Sequence, residues 1–136
     1  MADDCAKRVT TLFAYGTLMR GLRNHGRFCG DALTIEPAST RGRLYDLPAG
    51  FPAMVEAADG VVHGEAMTFP DIEATLANVD VLEGYRPDQP GRSLYLRRVQ
   101  PVTLLGSGAT VPAYCYLWHG PLPPDAVFLP SGRWQA

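Results

Sequence analysis

Glu83, the last residue of a helix predicted over residues 71–83, is the acidic residue whose position points most directly to chemistry. The apolar stripe of that helix, at spacings of four and three residues, consists of Ile72, Leu76 and Val79. The 83 − 72 = 11 residues from Ile72 to Glu83 turn a helix by about 1,100°, which returns to within about 20° of the same face. The carboxylate is therefore expected to point towards the core. Burial and the negative end of the helix would both raise its pKa, as a general base at neutral pH requires.

A different interpretation of Glu83 stays open at this stage. Helix ends fray, and Gly84 is placed where it would stop the helix and turn the chain. The carboxylate would then lie in solvent or pair with Arg86. Periodicity alone does not separate an inward-facing general base from a solvated surface acid.

A second candidate element follows the first predicted strand, which covers residues 8–15. This 15–18 segment consists of Tyr15, Gly16, Thr17 and Leu18. Glycine lets the backbone approach a ligand, and successive exposed N–H groups can bind a carboxylate or stabilise an oxyanion. An ordinary tight turn explains the same residues equally well. The segment matches neither the phosphate-binding loop nor the dinucleotide-binding glycine pattern.

Aromatic residues alternate along a strand predicted over residues 109–118, so that Tyr114, Tyr116 and Trp118 share one face. Core packing is the expected role of that face, and Tyr116 is its candidate for lining a pocket. Cys115 lies between two of these aromatic residues and is expected to be a buried structural thiol rather than a nucleophile.

The histidines and the net charge exclude several functions. His25, His63 and His119 have no paired spacing with cysteines or acidic residues, so no metal site is predicted. The net charge of 12 − 14 = −2 gives no basic footprint for nucleic acid. No apolar run approaches the roughly 18 residues that a membrane span needs. Neither nucleic acid nor a membrane is therefore expected as a partner.

The length and the cysteines set the expected organisation. A chain of 136 residues and 14.8 kDa fits one domain over residues 1–136, with residues 1–7 and 120–136 as irregular tails. Cys5, Cys29 and Cys115 are scattered, which is typical of free thiols in a reducing compartment. We therefore expect a cytoplasmic protein. The sequence gives no indication of its oligomeric state.

The remaining pattern consists of short strands and two helices. Strands are predicted over residues 8–15, 32–47 (one or two strands, with a bend at Gly42), 53–57, 61–69, 94–105 and 109–118, and helices over residues 19–28 and 71–83. Asp59 and Gly60 predict a hairpin that joins the strands over residues 53–57 and 61–69. Many short strands with two helices indicate a closed or nearly closed sheet with the helices outside.

Several of these segments together resemble the γ-glutamylcyclotransferase-like superfamily, which includes the γ-glutamylamine cyclotransferase and AIG2-like branches. The matching segments are residues 13–21 followed by Asn24 and His25, then residues 42–47, 51–55, 62–66, 80–85 and 95–97, together with Tyr116. They occur in the family's order and extend over residues 12–134. The Gly-Thr-Leu of the 15–18 segment favours the amine or AIG2-like branch over the glutathione-cycle enzyme, which carries Gly-Ser-Asn.

The resemblance implies an α+β fold, namely a small, mostly antiparallel β-barrel flanked by a few short helices. It implies release of 5-oxoproline from a small γ-glutamyl amine or peptide, in which the substrate's α-amine attacks its own γ-carbonyl. Glu83 would be the general acid and base. The backbone N–H groups of Gly16, Thr17 and Leu18 would bind the substrate, while Tyr15 and Tyr116 would shape the pocket. No metal or organic cofactor is required for this chemistry.

Three other functions remain open from the sequence. A non-catalytic protein could use the same pocket to bind an amino-acid-like ligand. A tailoring enzyme could remove a γ-glutamyl protecting group from a specialised metabolite by the same chemistry. A structural or protein-interaction module would bind no small molecule at all. Retention of an acid at Glu83 favours an enzyme over a binding protein.

Overall fold

The structure is a computed structural model that describes residues 9–135. The predictions for Cys5, for the tail over residues 1–7 and for Arg8 as the first residue of a strand lie outside the described residues.

Within residues 9–135, the order of the elements follows the predicted order closely. The strands are β1 (Thr11–Ala14), β2 (Thr34–Arg41), β3 (Arg43–Asp46), β4 (Pro52–Val55), β5 (Val61–Thr68), β6 (Tyr95–Leu104), β7 (Thr110–Trp118) and β8 (Val127–Phe128). The helices are α1 (His25–Cys29) and α2 (Ile72–Glu83), with a 3-10 turn at Pro90–Arg92.

Five strands form a closed barrel in the order β1-β5-β2-β6-β7. Adjacent strands are antiparallel except where β1 meets β7 in parallel, with Leu12 opposite Tyr114, and closes the barrel. Closure leaves these strands without a free edge for pairing with another chain. The expected α+β fold with a small, mostly antiparallel barrel and a few short helices is confirmed.

The predicted hairpin between β4 and β5 is wrong. β4 pairs with β3 in a second sheet of order β4-β3-β8, whereas β5 pairs with β1 and β2 in the barrel. The reason is the bend at Gly42 (φ 155°), which joins β2 and β3 into one bent run. β5 pairs with the first half of this run and β4 with the second half. β4 and β5 therefore lie one after the other along the same edge of the bent β2–β3 run, so they cannot pair with each other.

Two hydrophobic clusters show how α2 attaches to the barrel. The inner cluster contains at least one side chain from every barrel strand. Examples are Phe13, Ala38, Val62, Val102 and Cys115. The outer cluster joins the predicted stripe of α2 to the other face of the barrel strands, and includes Ile72, Leu76 and Val79 with Leu12, Met67 and Tyr116. Alternate side chains of β1 enter different clusters, as the two-residue period of a strand requires. α2 therefore packs on the outside of the barrel beside β1 and β7.

The ends of α2 are set by the sequence. The Asp71 carboxylate accepts a hydrogen bond from the Ala74 N–H at 3.1 Å and caps the first turn. Gly84 ends the helix in the left-handed conformation (φ 66°), and its N–H donates to the carbonyls of Asp80 and Val81. The helix predicted over residues 71–83 is confirmed, with Asp71 as the cap.

The other predicted helix and the C-terminal tail differ from expectation. Only His25–Cys29 of the helix predicted over residues 19–28 is helical, because the chain before it makes successive turns and Gly21 adopts a φ of 87°. The tail predicted to be irregular contains β8, which pairs with β3. Two residues among prolines carry no strand periodicity that a sequence pattern could detect.

Candidate active site

A cavity of about 220 Å³ lies between the end of β1, the end of α2 and the turn before β4. The six residues that the sequence singled out for the site all line it: Tyr15, Gly16, Thr17, Leu18, Glu83 and Tyr116. They come from segments up to 101 residues apart, so the tertiary fold brings them together. Their assignment to catalysis and substrate binding stays a prediction.

Glu83 lies at the last helical position of α2, immediately before the left-handed turn at Gly84. Its side chain is partly buried in the cavity wall, and this burial raises the pKa of the carboxyl from 4.5 to about 7. Within the described part of the chain, the carboxylate makes no hydrogen bond and no ion pair, including none with Arg86. A group with this pKa exists in both protonation states at neutral pH, and no partner among the described residues holds it in either state.

The 15–18 segment lines the same cavity as Glu83. Among residues 9–135, no acceptor takes a hydrogen bond from the backbone N–H of Gly16, Thr17 or Leu18. Asn24 holds the segment in place, because its Nδ2 donates to Thr17 Oγ1 at 2.8 Å and its backbone N–H donates to the Thr17 carbonyl at 3.0 Å. Three successive amides beside a cavity, with no acceptor among the described residues, can receive a carboxylate or an oxyanion.

Close packing explains why residue 16 is glycine. A Cβ atom at Gly16 would lie 2.8 Å from Cγ and 2.9 Å from Cδ of the Pro52 ring. Such contacts are too short for carbon atoms, and a proline ring has little freedom to move away. Glycine therefore lets the segment lie directly against the turn that precedes β4.

Three buried tyrosine hydroxyls in the cavity wall already have protein acceptors. Tyr15 donates to the Tyr116 carbonyl at 2.6 Å, Tyr95 to the Pro52 carbonyl at 2.6 Å, and Tyr116 to Asp80 Oδ1 at 2.5 Å. Burial is the largest cause that raises the pKa of each hydroxyl, so all three stay protonated at neutral pH. These tyrosines shape and rigidify the wall, and their protons are committed to the protein.

Asp80 lies one helical turn before Glu83 but belongs to a different network. Its Oδ2 pairs with Arg97 Nη1 at 2.7 Å, and the Arg97 guanidinium lies 5.2 Å from the ring centre of Tyr85 and 5.4 Å from that of Tyr114. Together with the bond from Tyr116, these contacts tie the end of α2 to β6 and β7. The network positions the helix turn that carries Glu83.

Comparison with known proteins fits this geometry. Residues 12–136 match the profile of the family described as gamma-glutamyl cyclotransferase, AIG2-like. The chain belongs to this family. The match includes the 15–18 segment, Glu83 and Tyr116, and it confirms the resemblance seen in the sequence. Membership supports a cyclotransferase-type enzyme.

Solved structures share the fold of this cyclotransferase family member. YkqA from Bacillus subtilis is 23% identical with a TM-score of 0.67, and the match covers 93% of this chain and 40% of YkqA. An AIG2-like protein from Mus musculus is 23% identical with a TM-score of 0.64, covering 85% of this chain and 81% of that one. A protein from Arabidopsis thaliana is 23% identical with a TM-score of 0.67, covering 94% and 70%.

These structural matches establish the fold alone, because sequence identity is low in each. The chain spans only about 40% of the length of YkqA. No curated protein matches the chain. The family therefore gives the class of enzyme but does not identify its substrate.

Sequence reasoning did not assign the other nine residues of the cavity wall to the site: Phe13, Ala14, Arg23, Asn24, Phe51, Pro52, Leu82, Leu94 and Tyr95. Phe51 and Pro52 lie in a segment of the family resemblance, and Leu82 precedes Glu83, so these positions carried a weak signal. Tyr95 lies in another segment of the resemblance, whereas no pattern indicated Arg23 or Leu94 as wall residues. Asp80 does not line the cavity, and its position one helical turn before Glu83 was the signal that could have pointed to it.

The other reactive side chains lie outside this cavity. Cys29 and Cys115 are buried free thiols, and burial raises the pKa of both to about 12, which makes them inert at neutral pH. Among residues 9–135, no three His, Cys, Asp or Glu side chains come together as metal ligands. In the same part of the chain, no helix has the length and apolar character needed to cross a membrane. The predictions on metal and on cellular location stay predictions.

Proposed function

We propose that this protein is a γ-glutamyl cyclotransferase that releases 5-oxoproline from a small γ-glutamyl amine or γ-glutamyl peptide. One observation carries the proposal: Glu83, whose pKa burial raises to about 7, shares a cavity with the amides of the 15–18 segment, which have no acceptor in the described part of the chain. A proton acceptor and an anion-binding wall are the two features that this ring closure needs. The cavity of about 220 Å³ suits a compact substrate.

In the first step, Glu83 accepts a proton from the substrate's α-ammonium. The freed amine nitrogen attacks the γ-carbonyl carbon, and a C–N bond closes the five-membered ring while the carbonyl oxygen gains negative charge. Gly16, Thr17 and Leu18 supply N–H groups that stabilise this oxyanion or hold the substrate's carboxylate. An intramolecular attack has a high effective concentration, so the cavity mainly has to hold the curled conformer.

In the second step, the bond between the γ-carbon and the departing nitrogen breaks. Glu83 returns its proton to that nitrogen, and the ring nitrogen, which still carries two hydrogens after the attack, releases one proton to solvent, so the products are 5-oxoproline and a free amine. A pKa near 7 suits both transfers, because the group is neither too weak as a base nor too weak as an acid. Each transfer of this kind typically accelerates a reaction by about a hundred- to ten-thousandfold.

The test measures 5-oxoproline release from a panel of γ-glutamyl amines, γ-glutamyl amino acids and glutathione. We expect release from at least one class, and Glu83→Gln should reduce it by at least about a hundredfold with the fold intact. The matched control is Glu73→Gln, which changes an exposed acid in the first turn of α2 and should retain wild-type turnover. Near wild-type turnover of Glu83→Gln would remove this residue from the mechanism.

Thermal shifts on the same panel separate the enzyme from the alternatives. Stabilisation by an amino-acid-like ligand without any 5-oxoproline would indicate a binding protein. No response to any member would indicate a structural or interaction module. A tailoring enzyme would release 5-oxoproline only when the γ-glutamyl group is attached to its own metabolite.

A further inference from the structure

We infer that Arg23 selects substrates whose leaving amine carries a carboxylate, and that Leu82 and Leu94 receive the aliphatic side chain of the same leaving group. The preferred substrate class is thus a γ-glutamyl amino acid with an aliphatic side chain. This inference rests on the proposed function, because it names the half of the substrate that ring closure releases.

Arg23 is the basic residue of the cavity. Among the described residues that line it, Arg23 carries the only positive charge and Glu83 is the only acidic residue. Arg23 Nη2 donates to the Gly50 carbonyl at 3.1 Å, which ties the guanidinium to the turn before β4. Within residues 9–135, Arg23 forms no ion pair. A guanidinium has five N–H donors, so most of them remain for a carboxylate.

Charge matching indicates what this arginine would bind. A γ-glutamyl amino acid carries one ammonium and two carboxylates. The ammonium belongs beside Glu83, and the amides of the 15–18 segment face the glutamyl half. The second carboxylate, on the leaving amino acid, then has one complementary group left in the cavity wall, which is Arg23.

The exposure of the wall residues gives the substrate its direction. Glu83 is partly buried and Leu18 is buried, whereas Arg23 is exposed. The reacting half of the substrate must reach Glu83, so the leaving half extends towards solvent. Arg23 lies on that outer part of the wall.

Two leucines share the outer part of the wall with Arg23. Leu82 is 37% exposed and Leu94 is 43% exposed, and both line the cavity. Leu94 packs against the end of α2, since a Cβ atom on Gly84 would lie 3.1 Å from its Cβ. Exposed leucines at a cavity mouth favour contact with an apolar group of the ligand. An aliphatic side chain on the leaving amino acid would provide this apolar contact for Leu82 and Leu94.

The experiment compares two substrates that differ only by the carboxylate, γ-glutamyl-leucine and γ-glutamyl-isopentylamine. Wild-type protein should prefer the first by about tenfold in kcat/KM, the ratio typical of one charge-assisted contact. Arg23→Gln keeps a donor for the Gly50 carbonyl but loses the charge, and should bring the ratio close to one. The control Arg27→Gln, on an exposed arginine outside the cavity, should leave the ratio at its wild-type value.

A binding measurement makes the inference independent of turnover. Calorimetry on Glu83→Gln, which keeps both ligands intact, should show about tenfold tighter binding of γ-glutamyl-leucine. Adding Arg23→Gln should abolish that difference. This arm tests recognition even when no product forms.

The outcomes separate the two claims. Turnover of both substrates without a preference overturns the inference and leaves the proposed function standing. Equal losses on both substrates in Arg23→Gln would assign the arginine to the glutamyl half and also overturn it. A carboxylate preference in binding without any 5-oxoproline supports the inference and contradicts the proposed function. No turnover and no binding contradict both.

Discussion

The two sides of the last turn of α2 carry one carboxylate each, and their surroundings differ. Asp80 faces β6 and β7, where Arg97 pairs with one oxygen and Tyr116 donates to the other. Glu83 faces the cavity, where no described residue bonds to it and burial raises its pKa to about 7. Asp80 is a hydrogen-bonded structural residue, whereas the Glu83 carboxyl is available to a ligand.

The neighbouring strands, rather than the helix itself, therefore determine the role of each acid. Both acids belong to the same helix end and would share the same helix dipole. Arg97 supplies charge on the Asp80 side alone. Environments that treat two nearby acids differently are the usual way in which one site separates structural from catalytic carboxylates.

Replacing Asp80 should change the stability of the protein more than any other substitution proposed here. Asp80→Ala leaves Arg97 without its partner in a poorly solvated position, and should lower the free energy of unfolding by about 3 kcal/mol. Asp80→Asn retains an acceptor for Tyr116 and should lose less. Urea denaturation measures both. The matched control Asp59→Ala breaks the exposed pair with Arg43 and should cost much less stability than Asp80→Ala, because solvent screens a surface ion pair. A loss for Asp80→Ala no greater than the control would contradict the contrast.

A smaller and pH-dependent effect is expected on the Glu83 side. The pKa of Glu83 is higher in the folded protein (about 7) than its ordinary value of 4.5, so the folded state binds more protons between these pH values. The wild-type protein should therefore lose stability as pH rises through this range. Glu83→Gln lacks the titration, so its stability relative to wild type should increase by about 1–3 kcal/mol from pH 4.5 to pH 8.

Urea denaturation at several pH values checks this prediction. Glu73→Gln is the control, because it makes the same Glu-to-Gln change at an exposed position of the same helix. A constant difference for Glu83→Gln would mean that the carboxyl is not desolvated in the folded protein.

Removing the Tyr116 hydroxyl should have the smallest effect. Tyr116 donates a hydrogen bond to Asp80 and also lines the cavity that contains Glu83. Tyr116→Phe removes the donor to Asp80 and should cost about 1–2 kcal/mol of stability, while turnover stays within about threefold. Tyr114→Phe is the matched control on the same strand, since no described residue hydrogen-bonds to its hydroxyl, and it should cost less than about 0.5 kcal/mol. A large loss of turnover with unchanged stability would assign the Tyr116 hydroxyl to the substrate instead.

Local patterns predicted most of the fold. α2 was predictable because a cap, an apolar stripe and a terminal glycine agree within one segment. The long strands β6 and β7 were predictable because Gly106 and Gly108 interrupt one β-rich run. The pairing of β4 and β5 was not, because Asp59 and Gly60 predict a turn but not which strands pair on either side of it.

The site was predictable where one segment carries the chemistry. Glu83 and the 15–18 segment stood out through residue type, helical phase and family resemblance. Arg23 and Leu94 did not, because their place in the wall depends on which residues the fold brings to the same cavity. No spacing along the chain records such a neighbour.

The sequence by itself determined the barrel class, the helix that ends at Glu83 and the glycine that admits the 15–18 segment against Pro52. Those features depend on periodicity, caps and the absence of a side chain, which are local properties. Only the tertiary structure decided that Asp80 is neutralised by Arg97 while Glu83 has no partner among the described residues, and that Arg23 lies in the same wall. Burial and charge pairing are sums over neighbours brought together by folding, so they exist only once the barrel has closed.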